Sequence, residues 1–314
     1  MRVQFFIAII SILLSFTRSY ADSNLNVVVS IKPYHSLVSG VMLGVASPKL
    51  LLKGNLSPHS YSLKPSDAEG LQNADIIFWG GENLEVFLAK PLSSLSKKAK
   101  VVSMFEMNGL KLKLFRPVNH IGKYENYESY ISNLPNDQDS KQKSAVDPHI
   151  WLDPENTKVI IKGIVNILSE TDPLNAQIYQ RNGEKIKVRL NELDQHLSSE
   201  MSEISNRTYL VLHDAYQYFE NRYQLKNAGS ITLNLGHFLG VSRLKKVQNM
   251  IKKNEVFCIF TEPQYSQKLV VTLIKGTSVK KGILDPIGSD LKPGPELYFD
   301  LMKNLSISLK SCLN

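Results

Sequence analysis

The stretch DPLNAQIYQRNGEKIKVRLNELDQHLSSEMSEI, Asp172 to Ile204, decides the architecture. Ile178, Ile186, Leu190, Leu193, Leu197, Met201 and Ile204 recur mostly three and four residues apart, which places them on one helical face. Asp172 is a candidate N-cap, and Pro173 suits the first helical position. Only Gly183 weakens the run. A helix of roughly thirty residues is about 45 Å long at 1.5 Å per residue, beyond the length of an ordinary globular helix. It falls midway between two strand-bearing segments, so the simplest account is a rigid connector between two lobes.

Working outward, short apolar runs recur on both sides. Val27–Ile31, Leu50–Leu52, Ala74–Trp79 and Lys100–Val102 precede the helix. Tyr209–Leu212, Val256–Phe260 and Lys281–Leu284 follow it. Continuous apolar runs of this length fit parallel strands buried on both faces. Helical patterns alternate with them, which argues an α/β fold of two lobes with parallel sheets flanked by helices. The expected division is an N-terminal lobe over 22–171, the connecting helix over 172–204 and a C-terminal lobe over 205–314. Residues 118–146 are polar, lack periodicity and read as a mobile surface loop.

Met1-Arg2, the apolar run Phe5–Phe16 and Ser19-Tyr20-Ala21 have the layout of a cleavable secretory signal peptide over 1–21. The apolar run is too short for a membrane span. No cysteine near Ala21 offers a lipid anchor, so a freely diffusing periplasmic protein is expected. Cys258 and Cys312 are the only cysteines. In an oxidising compartment such a pair reads as a disulfide, with two buried free thiols as the alternative. The mature chain of about 290 residues is long enough for one large or two medium domains. Its formal charge falls from +8 to +6 once Arg2 and Arg18 are removed. The lysines are scattered and join no nucleic-acid motif, so the charge reads as solvated surface rather than a nucleic-acid site.

In open α/β sheets the binding crevice lies beyond the carboxyl ends of the strands. His59 follows the Leu50–Leu52 run, His213 follows Leu212, and Asp285 follows Leu284. His149 lies in Asp147-Pro148-His149-Ile150-Trp151-Leu152-Asp153-Pro154, between the polar loop and the next helix. Three neutral imidazoles and one oxygen make a plausible tetrahedral Zn²⁺ site. A lone histidine is more often a packed core residue, so only convergence of all three would make a site. His35 and Glu262 are candidates for orienting a ligand through a hydrogen bond. His196 reads as surface, His120 as solvent-exposed and His237 as a weaker auxiliary candidate. Trp79 and Trp151 read as packing near the cleft, and Asp153 as a helix start.

Several of these motifs resemble, in order, those of the periplasmic zinc-binding proteins of ABC transporters (ZnuA-like). They are Ser57-Pro58-His59-Ser60-Tyr61-Ser62-Leu63-Lys64-Pro65-Ser66-Asp67, Asn73–Trp79 with Gly81, and Leu84-Glu85. His149–Pro154, Val211–Tyr216, Thr261–Gln264 and Leu284–Gly288 follow. The resemblance implies two α/β lobes joined by one long helix, with a metal in the cleft. It implies His59, His149 and His213 as ligands, with Asp285 at a fourth position shared with or replaced by water. It implies an inner-membrane permease as partner, and a monomer is expected. A histidine rather than a glutamate at 213 leans the metal toward Zn²⁺ over Mn²⁺. Residues 118–146 hold only His120, so the His-rich loop of many zinc members is missing. Two rival readings fit less well. A zinc hydrolase needs a general base, and neither an H-E-x-x-H motif nor a Glu beside His59 or His149 is present. A surface adhesin would want the lipid anchor that the leader lacks.

Overall fold

The computed structural model describes residues 25–116, 146–232, 241–253 and 255–314. The leader, His120 and His237 lie outside them. The first half runs β1 (Val27–Val29), α1 (Lys32–Val41), β2 (Lys49–Leu50), α2 (Pro65–Gln72), β3 (Ile76–Trp79), α3 (Val86–Leu95) and β4 (Lys100–Ser103). Its strands form a parallel sheet in the order β2-β1-β3-β4. A 3-10 turn (Ile150–Leu152), α4 (Pro154–Thr171) and the long α5 (Ala176–Ser202) follow. The second half runs β5 (Thr208–His213), α6 (Gln217–Tyr223), β6 (Lys226–Thr232), α7 (Val241–Lys252), β7 (Cys258–Thr261), α8 (Lys268–Ile274), β8 (Lys280–Ile283) and α9 (Leu297–Leu313). It repeats the pattern as a second parallel sheet, β6-β5-β7-β8. Among the described residues no helix is long and apolar enough to cross a membrane.

The expected long helix is there, with a different start. Pro173–Asn175 forms one 3-10 turn, and α5 begins at Ala176 with Asn175 as N-cap. Asp172 stands at the N-cap of that turn, with Pro173 at its first position. It accepts from Asn175 Nδ2 at 2.8 Å and Tyr179 OH at 2.7 Å, bonds that favour the tighter turn. The 27 residues of α5 span about 40 Å. Ile186, Leu190, Leu193, Leu197 and Met201 are buried along its inner face. Gly183 weakens the helix for a reason: a Cβ there would sit 2.5 Å from Val165 Cγ2, so the glycine lets α4 and α5 approach closely.

β6 was not anticipated. Its sequence, KNAGSIT, lacks an apolar run because it is an edge strand of its sheet, bonded on one side only to β5. The hydrophobic core also ignores the lobe boundary. One cluster runs from β1 and α1 through α4 and α5 to Tyr209, Phe260 and α9, and a smaller one packs beneath α7 and α8. The C-terminal helix α9 packs on both α1 and α5, which brings the end of the chain back onto the first half. The Cys258–Cys312 disulfide ties that helix to β7.

Candidate functional site

In each sheet the chain order changes direction at β1 or β5, and the carboxyl ends of both sheets face one cleft. His59 follows β2 through a short turn, and His213 is the last residue of β5. His149 is the N-cap of the Ile150–Leu152 turn. Folding brings all three together, with one ring nitrogen of each inside a 4.8 Å circle. The ring centroids are 5.1 to 5.4 Å apart. His59 Nε2 and His149 Nε2 stand 3.3 Å apart. Two nitrogens bound at 2.0–2.1 Å with a tetrahedral angle between them are separated by about 3.3 Å. That pair is therefore already spaced as two ligands of one small cation.

The other ring nitrogens are held from behind. His149 Nδ1 donates to Asp147 Oδ1 at 2.7 Å, and the His149 backbone N–H donates to the same oxygen at 3.0 Å. Asp147 is fully buried and also accepts from Gln217 Nε2 at 3.2 Å. His213 Nδ1 donates to Glu262 Oε1 at 3.0 Å, at the exit of β7. These bonds fix both imidazoles in the tautomer whose Nε2 lone pair faces the centre. The chamber between the rings has a volume of about 10 Å³ and is walled by Ser57, Trp151, Tyr265 and Ile287. It has room for one water-sized body.

The electrostatics differ among the three rings. Burial pushes His59 and His149 well below 6.5, and the charge of a protonated His213 pushes the same way. Burial also works to lower His213. The Glu262 carboxylate, helped by Asp214 and Asp147, outweighs it and raises that imidazole above 6.5. Burial raises the Asp147 carboxyl to about 6, against the His149 backbone N–H and the Arg116 charge. At neutral pH the site thus presents two imidazoles that are already unprotonated and one that retains its proton more readily.

Asp285 is not part of the converging group. Its carboxylate accepts the backbone N–H groups of Ile287 at 3.2 Å, Gly288 at 3.1 Å and Ser289, as well as Gln264 Nε2 at 3.2 Å. These bonds hold loop 285–291 in shape around the carboxylate. His35 is also elsewhere: its Nε2 faces Pro48 O at 3.0 Å and its Nδ1 faces Ser39 Oγ at 3.4 Å. Glu262 lies behind His213. His196 is exposed on α5. Trp151 is wholly buried, with its Nε1 donating to Pro286 O at 2.8 Å, whereas Trp79 is half-buried. Asp153 is the N-cap of α4 and accepts from Glu155 N at 2.9 Å. Sequence reasoning assigned no role to Asp147 or Tyr265. Asp147 had a signal, since an Asx residue two positions before a histidine is placed to bond its backbone N–H. Tyr265 had none.

The comparisons with known proteins agree with this geometry. Residues 27–312 match the profile of the family described as "Zinc-uptake complex component A periplasmic". The chain is 41% identical over 313 residues to a "High-affinity zinc uptake system protein ZnuA" of Brucella suis biovar 1 (strain 1330), covering 94% of each chain. Among solved structures, "Crystal structure of ZnuA" superposes with a TM-score of 0.77 at 22% identity, covering 93% of this chain and all of that one. The periplasmic zinc binding protein TroA from Treponema pallidum does so with a TM-score of 0.75 at 20% identity, covering 93% and 99%. At those identities the structures speak for the fold, while the profile and the relative's identity speak for descent. The chain belongs to the zinc-uptake complex component A family, the periplasmic components of zinc-uptake complexes.

Proposed function

We propose that the protein captures Zn²⁺ in the periplasm with His59, His149 and His213 and hands it to the membrane permease of an ABC uptake transporter. The observation that carries this reading is the convergence of three imidazole nitrogens, two of them at the spacing of a tetrahedral pair. Three borderline nitrogen donors favour zinc over manganese. A water in the small chamber would complete four-coordination. With Asp285 engaged by its own loop, water is the better occupant of the fourth position. The leader over 1–21 and the family's periplasmic setting support export, and the division into two lobes about α5 supports capture between them. We take the working unit to be a monomer. Calorimetry of the metal-free protein with Zn²⁺ and Mn²⁺ in competition tests the reading. Zinc is expected to displace manganese, and preferential retention of manganese would refute it.

The electrostatics predict the pH dependence. A protonated imidazole cannot coordinate, so affinity falls as pH drops through the pKa of any histidine that must deprotonate. His59 and His149 are depressed and bind without losing a proton at neutral pH, while His213 is raised. Log affinity should therefore fall with a slope of about one as pH decreases through the upper range. It should steepen below about 6, where Asp147 protonates and loosens its hold on His149. A slope near three already at pH 7, in chelator-competition titrations, would contradict this assignment.

Glu262→Gln isolates the support of His213. The substitution keeps the size and an acceptor for Nδ1 but removes the charge that makes the ring a better donor. Losing such a partner costs roughly 10–100-fold in metal affinity. The amide should sit at the low end, about tenfold, and the pH slope should shift to lower pH as the imidazole loses its counter-charge. Unchanged affinity together with an unchanged pH profile would show that Glu262 is only packing.

A further inference from the structure

The two walls of the zinc chamber are anchored differently. Loop 285–291 follows β8 but is bolted to the first half of the molecule. Trp151 Nε1 donates to Pro286 O, and the buried Lys32 Nζ donates to the carbonyls of Gly288 at 3.2 Å, Ser289 and Leu291 at 3.1 Å. Just beyond the loop, Tyr298 N donates to Ser36 Oγ at 2.9 Å. The opposite wall is the segment after β7, carrying Glu262, Gln264 and Tyr265. It reaches across the cleft through side chains. Gln264 Nε2 donates to Asp285 and Ser289, and Tyr265 OH donates to Ser57 Oγ at 2.7 Å.

The tyrosine bond lands on the ligand loop itself. Ser57 Oγ also accepts the backbone N–H of His59 at 3.3 Å, so Tyr265, Ser57 and His59 form one chain of hydrogen bonds. The Tyr265 ring meanwhile stands edge-on to His213, with centroids 6.4 Å apart. One side chain thus touches an imidazole from the second sheet and the support of an imidazole from the first. Ser57 and Tyr265 both line a chamber that holds only one water-sized body. Both groups therefore stand beside any ion held there.

We propose that Tyr265 is a positioning residue that latches the chamber over bound zinc through its hydrogen bond to Ser57. The proposal rests on the reading of the chamber as a zinc site. A neutral hydrogen bond suits a latch, because its net worth is small and it can open without separating charges in a buried place. Its effect should appear in the rate of release and not in the rate of capture, as is usual for contacts that close over a ligand.

The test is stopped-flow release of zinc into excess chelator from the wild type, Tyr265→Phe, Ser57→Ala and the double variant. Tyr265→Phe keeps the ring and should speed release about threefold to tenfold, the range of one hydrogen bond. The association rate should stay as in the wild type, and the melting temperature of the metal-free protein should fall by no more than about 1–3 °C, the worth of one hydrogen bond. Ser57→Ala should speed release at least as much, since it also frees the His59 N–H. The double variant should match Ser57→Ala, because the two residues act through one bond. Zinc binding by the wild type with an unchanged release rate in Tyr265→Phe would overturn the latch alone, as would effects that multiply in the double variant. Absence of zinc binding by the wild type would overturn the reading of the site and the latch with it.

Discussion

His59→Ala should weaken zinc binding by more than about a hundredfold while leaving the fold intact. The lower bound follows from the loss expected when only the partner of a ligating imidazole is removed, roughly 10–100-fold. Removing the imidazole itself takes away one of three donors and leaves a cavity that only water can fill. His59 is the cleanest of the three to change. It is half-buried on a turn, whereas His149 and His213 are buried and each holds a carboxylate that would be stranded by truncation. Truncating His149 or His213 should cost at least as much affinity, together with some stability, because buried Asp147 or Glu262 would lose one of its hydrogen-bond donors. Titration against a chromophoric chelator measures the affinity, and circular dichroism of the metal-free protein checks the fold. A dissociation constant for His59→Ala within tenfold of the wild type would remove His59 from the ligand set.

Most of the architecture was legible because the buried strands are written as apolar runs. Val27–Val29, Ile76–Phe78 and Tyr209–Leu212 are buried on both faces, and such strands leave little ambiguity. The edge strand β6 escaped notice for the complementary reason: one side faces away from the sheet, and the exposed Lys226 and half-buried Asn227 fit that edge. The three histidines were legible as candidates because each sits at or just past an expected strand or turn. Their convergence was not, since it depends on how the two sheets face each other across α5. Asp285 shows the limit most plainly. Its position after a strand suggested a ligand, but Gly288 and Ser289 behind it fold into a loop that turns their N–H groups onto the carboxylate. Short-range turn chemistry thus occupies a carboxylate that its place after a strand had marked only as a candidate ligand. His35 is similar, since its ring finds Pro48 O within its own half.

Removing the Cys258–Cys312 disulfide should lower stability by about 4 kcal/mol without changing zinc affinity. The bond joins residues 54 apart in sequence, with Cα atoms at 6.1 Å. Closing a loop of that length restricts the unfolded chain by about 4 kcal/mol in the chain-entropy model. With an unfolding entropy of about 2.1 cal/mol/K per residue over about 290 residues, this corresponds to a drop in melting temperature of about 7 °C. The folded state should barely notice, because both sulfurs are buried within an existing core and α9 keeps its packing on α1 and α5. Cys258 begins β7, and Glu262, which supports His213, lies just past its far end. Four residues of strand put about 13 Å between the two. Scanning calorimetry of the Cys258→Ala/Cys312→Ala variant, with and without zinc, separates the possibilities. Both forms should melt lower by the same amount, so that the stabilisation conferred by zinc is preserved. A disappearance of the zinc-induced increment would mean that the staple at one end of β7 sets the geometry of the site at the other, and that the two ends of the strand cannot be treated as independent.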